Sequence, residues 1–269
     1  MTTLKRLALM VAAAALASCG AADGERQTQV EPPALTVPSP LPLDIRTALA
    51  EPGRAMHQGA DVRRHPGEIV ALSGLKRGDR VLDLIPGDGY WTRLFSRIVG
   101  PEGRVYAVWP KNYADVATGN VATLRQIAAS PDYPNVRVEV QPTPMLSAPE
   151  PLDMVFTSQN YHDYPDEFMG RFDPAQLNRA VFDMLKPGGT WFIVDHAAEA
   201  GSGMRDTERL HRIDPAVVRR QVEAAGFEFI GASDVLHNPA DDHRLRVFDP
   251  RIRGRTDQFV MRFRKPAGS

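Results

Sequence analysis

From residue 45 onward, short apolar runs alternate with stretches in which apolar residues recur every three or four positions. Runs of the first kind read as buried strands, and the longer period reads as a helix with one face on a core. Arg80-Val81-Leu82-Asp83-Leu84-Ile85 and Arg104-Val105-Tyr106-Ala107-Val108-Trp109 predict two such strands. Between them lie the tight turn Pro86-Gly87-Asp88-Gly89, a helix over 91–99 with Leu94, Ile98 and Val99 inward, and a second turn over 100–103. A helical crossover of this kind makes the two strands parallel and the connection right-handed. Upstream, Pro66 opens a helix carrying Ile69, Val70 and Leu72, and Gly74 ends it. The alternation continues with a helix over 123–129, an alternating strand over 136–140 and a buried strand over 154–157. A helix over 174–185, with Leu177, Val181 and Leu185 on one stripe, leads to a strand over 191–195. Asp214 caps a last helix opened by Pro215 and closed by Gly226. The strands over 227–230 and 258–263 have no helix between them, so they predict an antiparallel pair. The pattern as a whole is an α/β, doubly wound, mostly parallel sheet with an antiparallel last strand.

The first 44 residues break the alternation. Lys5 and Arg6 precede an apolar run over 7–16 that is too short to span a bilayer. Residues 1–18 therefore read as a secretory signal peptide. Leu16-Ala17-Ser18-Cys19 closes it and resembles the bacterial lipobox. In lipoproteins with that motif the Cys is lipidated and the chain is cut just before it. Cys19 is the only cysteine, and a lone thiol in an exported chain needs a reason, which acylation supplies. The resemblance implies an exported, periplasmic lipoprotein anchored in a membrane by lipid on Cys19. Gly20, standing where an Asp favours inner-membrane retention, leans it towards the outer membrane. Residues 19–44, punctuated by Pro32, Pro33, Pro38, Pro40 and Pro42, predict an extended tether. The alternative is an arm packed on the domain, with only Leu35 and Val37 to hold it. The folded body is then 45–269. A chain that is 43% hydrophobic and 24% charged can build that body's core without disulfides or metals. A net charge of -1, with Lys and Arg scattered, offers no basic field for nucleic acid.

A doubly wound sheet binds ligands beyond the C-terminal ends of its strands, where strand order reverses. The turn after the first strand sits beside that point. Gly87 and Gly89 let backbone approach a ligand, and Asp83 aims a carboxylate into the same crevice. Val81-Leu82-Asp83-Leu84-Ile85-Pro86-Gly87-Asp88-Gly89-Tyr90-Trp91-Thr92 resembles motif I of class I S-adenosylmethionine (SAM) methyltransferases. Leu185-Lys186-Pro187-Gly188-Gly189-Thr190 is similar to the turn before that fold's fifth strand. The likeness covers residues 61–265. With Arg64-His65-Pro66 and Asn160-Tyr161-His162-Asp163, the chain most resembles a group of bacterial predicted methyltransferases. The resemblance implies seven strands in the order 3-2-1-4-5-7-6 and SAM as cofactor. It places the cofactor on Asp83, Ile85, Pro86, Gly87, Asp88, Gly89, Trp109 and Asp195. The methyl acceptor is unknown. Two positions depart from the pattern. Ile85 replaces the first motif glycine, and Trp109 replaces the acid that holds the ribose hydroxyls. An indole can stack or line a pocket, but it accepts no pair of hydrogen bonds.

Ser158-Gln159-Asn160-Tyr161-His162-Asp163-Tyr164 follows the fourth strand and, in that fold, faces the methyl group. Asn160, His162 and Asp163 are the candidate catalytic residues, with His162 as general base and Asp163 either orienting it or facing the positive sulfonium. The plainer alternative has the same pair capping the next turn. His162, Asp163, Asp195, His196 and His211 offer nitrogen and oxygen donors at one sheet edge. None shows a short metal spacing, so no metal is assigned. Asp241-Asp242-His243-Arg244 falls in a late loop that reads as a polar lid or solvated surface. An enzyme is expected. The rivals are a non-catalytic ligand-binding or envelope-assembly lipoprotein on the same fold, and a nicotinamide oxidoreductase. The latter is disfavoured by the missing Gly-x-Gly-x-x-Gly spacing.

Overall fold

The computed structural model describes residues 33–268. The expected signal peptide, Cys19 and the first part of the tether lie outside these residues. Seven strands form one sheet: β1 (Arg80–Leu84), β2 (Arg104–Pro110), β3 (Val136–Gln141), β4 (Leu152–Ser158), β5 (Leu185–His196), β6 (Glu228–Ser233) and β7 (Gln258–Arg264). Their order is β3-β2-β1-β4-β5-β7-β6, as expected. The strands from β3 to β5 pair in parallel, and β7 runs antiparallel to both of its neighbours. The flanking helices are α1 (Leu43–Leu49), α2 (Gln58–Arg64), α3 (Pro66–Ser73), α4 (Tyr90–Val99), α5 (Lys111–Val116), α6 (Thr118–Ala129), α7 (Pro174–Met184), α8 (Thr207–Leu210) and α9 (Pro215–Ala224). Among the described residues no helix is long and apolar enough to cross a membrane.

Helices on both faces explain why the central strands are nearly unbroken apolar runs. Val81, Leu82, Val155, Phe156, Phe192 and Ile193 are all fully buried. The one polar atom the indole of Trp191 carries into this core is satisfied, its Nε1 donating to Thr157 Oγ1 at 2.9 Å. Asp173 and Asp214 cap α7 and α9 by accepting from Ala175 N and Ala216 N, each at 2.9 Å. A proline follows each cap, at a position where a missing N–H costs nothing.

Three boundaries differ from expectation. Helix α6 begins at Thr118 rather than 123, because its first turn faces the cleft described below and carries no apolar period. Strand β5 runs back through Pro187-Gly188-Gly189, where the pairing with β4 shifts register between Leu152 and Met154. The tether expected to reach residue 44 is already docked at Pro33. Ala34 bridges Ala232 on β6, Leu35 N donates to Ala232 O at 2.7 Å, and Ala232 N donates to Pro33 O at 3.1 Å. Gly231 makes the approach feasible, since a Cβ there would collide with the Pro33 carbonyl and with Leu35.

Candidate active site

Strand β1 pairs with β2 on one side and β4 on the other, so strand order reverses there. Beyond the C-terminal ends of these strands lies a cleft of about 640 Å³. The turn after β1 forms its floor. Ile85 N donates to Val108 O at 2.9 Å, and Ile85 and Gly87 then take φ of +55° and +62°. That conformation is a true outlier for a β-branched residue and costs about 1–3 kcal/mol. Asn160 holds it in place: its Nδ2 donates to Leu84 O at 3.1 Å and to Ser158 O at 3.0 Å. Its Oδ1 is buried without a partner. Asn160 therefore ties the two loops together, a positioning task rather than the catalytic one expected.

The two motif glycines do different work. A Cβ on Gly87 would meet nothing within 4 Å, so the space beside it is open. A Cβ on Gly89 would sit 2.8 Å from Ile127 and 2.9 Å from Leu124. Gly89 serves the packing of α6 and does not line the cleft, contrary to expectation. Ile85 and Pro86 line it, and Asp88 reaches its rim with a half-exposed side chain, 4.0 Å from His57. Asp83 lies beneath the turn, fully buried, where Thr92 Oγ1 donates to it at 2.6 Å. Burial pushes its carboxyl up to about 7, against the pull of Thr92 and Arg64. Arg64 lies over the Tyr90 ring at 4.5 Å and lines the cleft. Its Nε is buried without a partner, and among the described residues it makes no ion pair. Trp109, fully buried at the end of β2, also brings an unpartnered Nε1–H to the cleft wall.

At the other end, the register of β4 with β5 sets Ser158 beside Val194, which brings Asp195 against the loop after β4. His162 Nδ1 lies 2.7 Å from Asp195 Oδ1, and His162 N donates to Asp195 Oδ2 at 2.9 Å. On the far side of the ring, Nε2 lies 3.2 Å from Asp163 Oδ1, and His211 Nδ1 lies 3.4 Å from the same oxygen. The Tyr113 phenol also lies near Asp163, and burial together with that carboxylate raises its pKa. Burial by itself would lower the His162 pKa, but the two carboxylates override it and raise it well above 6.5. Asp163, despite burial, is held at about 2 by His162 and His211. His196 goes the other way: burial drives it to about 3, and its Nδ1 meets Thr256 Oγ1 at 2.8 Å.

Two expectations change. His162 was read as a general base, yet both its nitrogens are engaged and its proton is held tightly. Asp195 was placed with the cofactor, yet it stands behind His162 and does not line the cleft. Several wall residues were not named as site residues from the sequence, Arg64 among them although it stands in a segment that carries the resemblance. Arg64 comes from a helix ahead of the motif, Tyr113 from the short helix α5, and Phe168 from a 3-10 turn over Glu167–Met169. The late loop, read as polar, contributes Val247 and Phe248, whose ring lies 5.0 Å from that of His211.

No protein-family model matches the chain. Among curated proteins it is similar to the ubiquinone/menaquinone biosynthesis C-methyltransferase UbiE of Pasteurella multocida (strain Pm70), 30% identical over 132 residues. It is likewise similar to that of Stutzerimonas stutzeri (strain A1501), 31% identical over 129 residues. Each match covers 47% of this chain and 43% or 45% of the relative, so the chain spans under half the length of the curated relatives it matches. Among solved structures, a SAM dependent methyltransferase from Aquifex aeolicus superposes with a TM-score of 0.54 at 19% identity, covering 82% of this chain and 96% of that one. The [4+2]-cyclase SpnF gives 0.55 at 18% identity, covering 79% and 80%. These likenesses establish the Rossmann-like methyltransferase fold, and the second is a reminder that this fold carries more than one reaction.

Proposed function

We propose that the chain is a SAM-dependent methyltransferase acting on a small-molecule acceptor and tethered to the bacterial envelope by lipid on Cys19. The observation that carries the activity is the open cradle at Gly87, placed at the switch point of the sheet in a cleft whose wall holds the unpartnered donors of Arg64 and Trp109. The residues present fit the cofactor. The space a Cβ on Gly87 would occupy suits the amino-acid end, with Asp83 near the ammonium and Arg64 near the carboxylate. Trp109 suits the adenosine end, its free Nε1–H serving as a donor to a ribose oxygen where the usual acid would accept. Bound there, SAM supplies an electrophilic methyl group on a sulfonium. Asp163 and His162 bound the far end, where the acceptor belongs, and Val116, Phe168 and Phe248 form an exposed apolar rim around the mouth. That rim favours a small, partly apolar acceptor over nucleic acid. Holding two reactants in line supplies much of the rate of such a transfer. His162 keeps its proton, so its part is to fix Asp163 and not to deprotonate the acceptor.

A second reading, a non-catalytic binding lipoprotein on the same fold, is favoured by Ile85, Trp109 and the locked His162. Calorimetric titration of the full-length chain in detergent with SAM, its demethylated product and NAD separates the two. Binding of SAM and its product, but not NAD, is expected. No binding of either at millimolar concentration leaves only the second reading.

A further inference from the structure

His162 and Asp163, from the loop after β4, converge with His211, which follows α8, on one point of the cleft wall. The three ligand atoms all lie within 4.8 Å of one another. His162 Nε2 and His211 Nδ1 stand 3.2 and 3.4 Å from Asp163 Oδ1. A tetrahedral ion with bonds of about 2.0–2.1 Å spaces its ligands about 3.3 Å apart. Two of the three edges are therefore already near the edge length of such a shell, and the third is no longer than 4.8 Å. We propose that His162, Asp163 and His211 bind a divalent cation of the zinc type, with a fourth position open to the cleft.

Three independent features point the same way. First, Asp195 takes His162 Nδ1 and fixes the ring through the backbone N–H as well, which reserves Nε2 as the ligand atom. A carboxylate behind a histidine in this manner is the usual support of a metal ligand. Second, His211, the left-handed residue that ends α8, keeps its side chain mostly buried with Nδ1 3.4 Å from Asp163. Third, buried carboxylates gather here without a Lys or Arg partner: Asp163, Asp166 and Asp195 are all buried, and among the described residues no Lys or Arg pairs with any of them. Neither oxygen of Asp166 has a hydrogen-bond partner of good geometry, and the Thr207 hydroxyl beside it donates to Met204 O at 3.3 Å. A dication at this point would sit against buried carboxylates that no Lys or Arg pairs among the described residues, and would offset two of their charges. Two imidazoles, one carboxylate and an open position form a donor set suited to zinc.

One contact opposes the site. Arg246 Nη2 lies 2.8 Å from His211 Nε2, and a metal on Nδ1 requires a hydrogen on that nitrogen. Arg246 is exposed and must turn away when the ion binds. Binding the ion displaces the Nε2 proton of His162 to solvent, so the proton-keeping role given to His162 above is that of the metal-free chain; only the description of this end as the acceptor's rests on the proposed function.

The test uses the full-length chain in detergent, stripped with a chelator and titrated with Zn²⁺ against a chromogenic competitor, then with Co²⁺ for its visible spectrum. One site per chain with four- or five-coordinate Co²⁺ bands is expected. Asp163→Asn and His211→Gln should each weaken it at least about tenfold, and Asp195→Asn by roughly 10–100-fold. Arg246→Ala should leave it as tight or tighter, and circular dichroism confirms that each variant is folded. No site in the wild type overturns the proposal. So does Zn²⁺ binding that survives both Asp163→Asn and His211→Gln, because the ion then sits elsewhere, as between His237 and His243. SAM titration of the stripped chain is read separately: SAM binding without a Zn²⁺ site sinks the metal alone, and a Zn²⁺ site without SAM binding sinks the methyltransferase reading alone.

Discussion

Replacing Asp83 with Asn separates the charge of that carboxyl from its shape. In the folded chain, burial holds the group at about 7, against 3.8 when it is exposed. Below about pH 4 both states carry the proton, and the favourable burial of a neutral acid is fully present. As pH rises from about 4 to about 7, the unfolded chain releases the proton and the folded chain keeps it, so stability falls. The gap of about three units, at about 1.36 kcal/mol each, amounts to roughly 4 kcal/mol, and the loss levels off above the folded pKa. Asn keeps the size and can still accept from Thr92, but it has no proton to lose. The stability of Asp83→Asn relative to the wild type should therefore climb by several kcal/mol between about pH 4.5 and about pH 8.5. Urea unfolding of both chains across that range measures the difference directly. A flat difference would refute the reasoning, because it would mean that the carboxyl ionises as freely folded as unfolded. The same group reports on the ligand. A cation seated beside Asp83 draws its pKa down, so SAM binding near pH 7 should expel a proton. The heat of binding should then depend on the buffer in the wild type and not in Asp83→Asn.

The two motif glycines should part company. Gly87→Val should abolish SAM binding at a stability cost of about 1–3 kcal/mol, from a β-branched residue in the left-handed region; Gly89→Ala should lower the melting temperature through Leu124 and Ile127, with binding little changed in what remains folded. In the metal-free chain Asp195→Asn should destabilise by about 3–5 kcal/mol near pH 6, by leaving the buried imidazolium of His162 short of a partner. Because the folded pKa of His162 is raised, that contribution is present below 6.5 and fades as pH climbs through the raised value, so melts of wild type and variant should converge at alkaline pH. Cys19→Ser should leave the body folded and move it out of the membrane fraction, with labelling by a palmitate analogue lost; equal labelling of the variant would end the lipoprotein proposal.

Most strands were readable as compact apolar runs set off by Gly or Pro, and the antiparallel pair because β6 and β7 have no helix between them; the order of the strands in the sheet came from the family likeness. Asp83, Gly87 and Trp109 were found through motif likeness and do lie at the cleft. What each residue does there was less accessible. Gly87 and Gly89 look alike in a sequence, yet one faces open space and the other a helix, and only the path of α6 tells them apart. Asp163 adjoins His162 in the chain and was given the orienting task. The ring's Nδ1 instead takes Asp195, a partner set by the neighbourhood of β4 and β5. The start of α6 was misjudged for a related reason. Its polar first turn borders the cleft rather than a core, so the period on which helix detection depends is missing there. Arg64 belongs to a helix that precedes the motif altogether, and nothing in its spacing marks it.

The short arm from Pro33 to Leu35 has a consequence for how this protein keeps company with its own kind. Strand β6 closes one side of the sheet, and its outer row of amide and carbonyl groups would otherwise stand ready to pair with any passing strand. The arm occupies part of that row, at Ala232. Chains gathered on a membrane would meet one another far more often than chains free in solution, which makes a self-supplied cover most useful there. A single methyl group suffices to undo it. Gly231→Ala pushes the Pro33 carbonyl off the strand and exposes the border, so the variant should self-associate in sedimentation at concentrations where the parent stays dispersed. The segment that reads as a plain leash is, at its inner end, also the hem that stops the sheet from being extended by a neighbour.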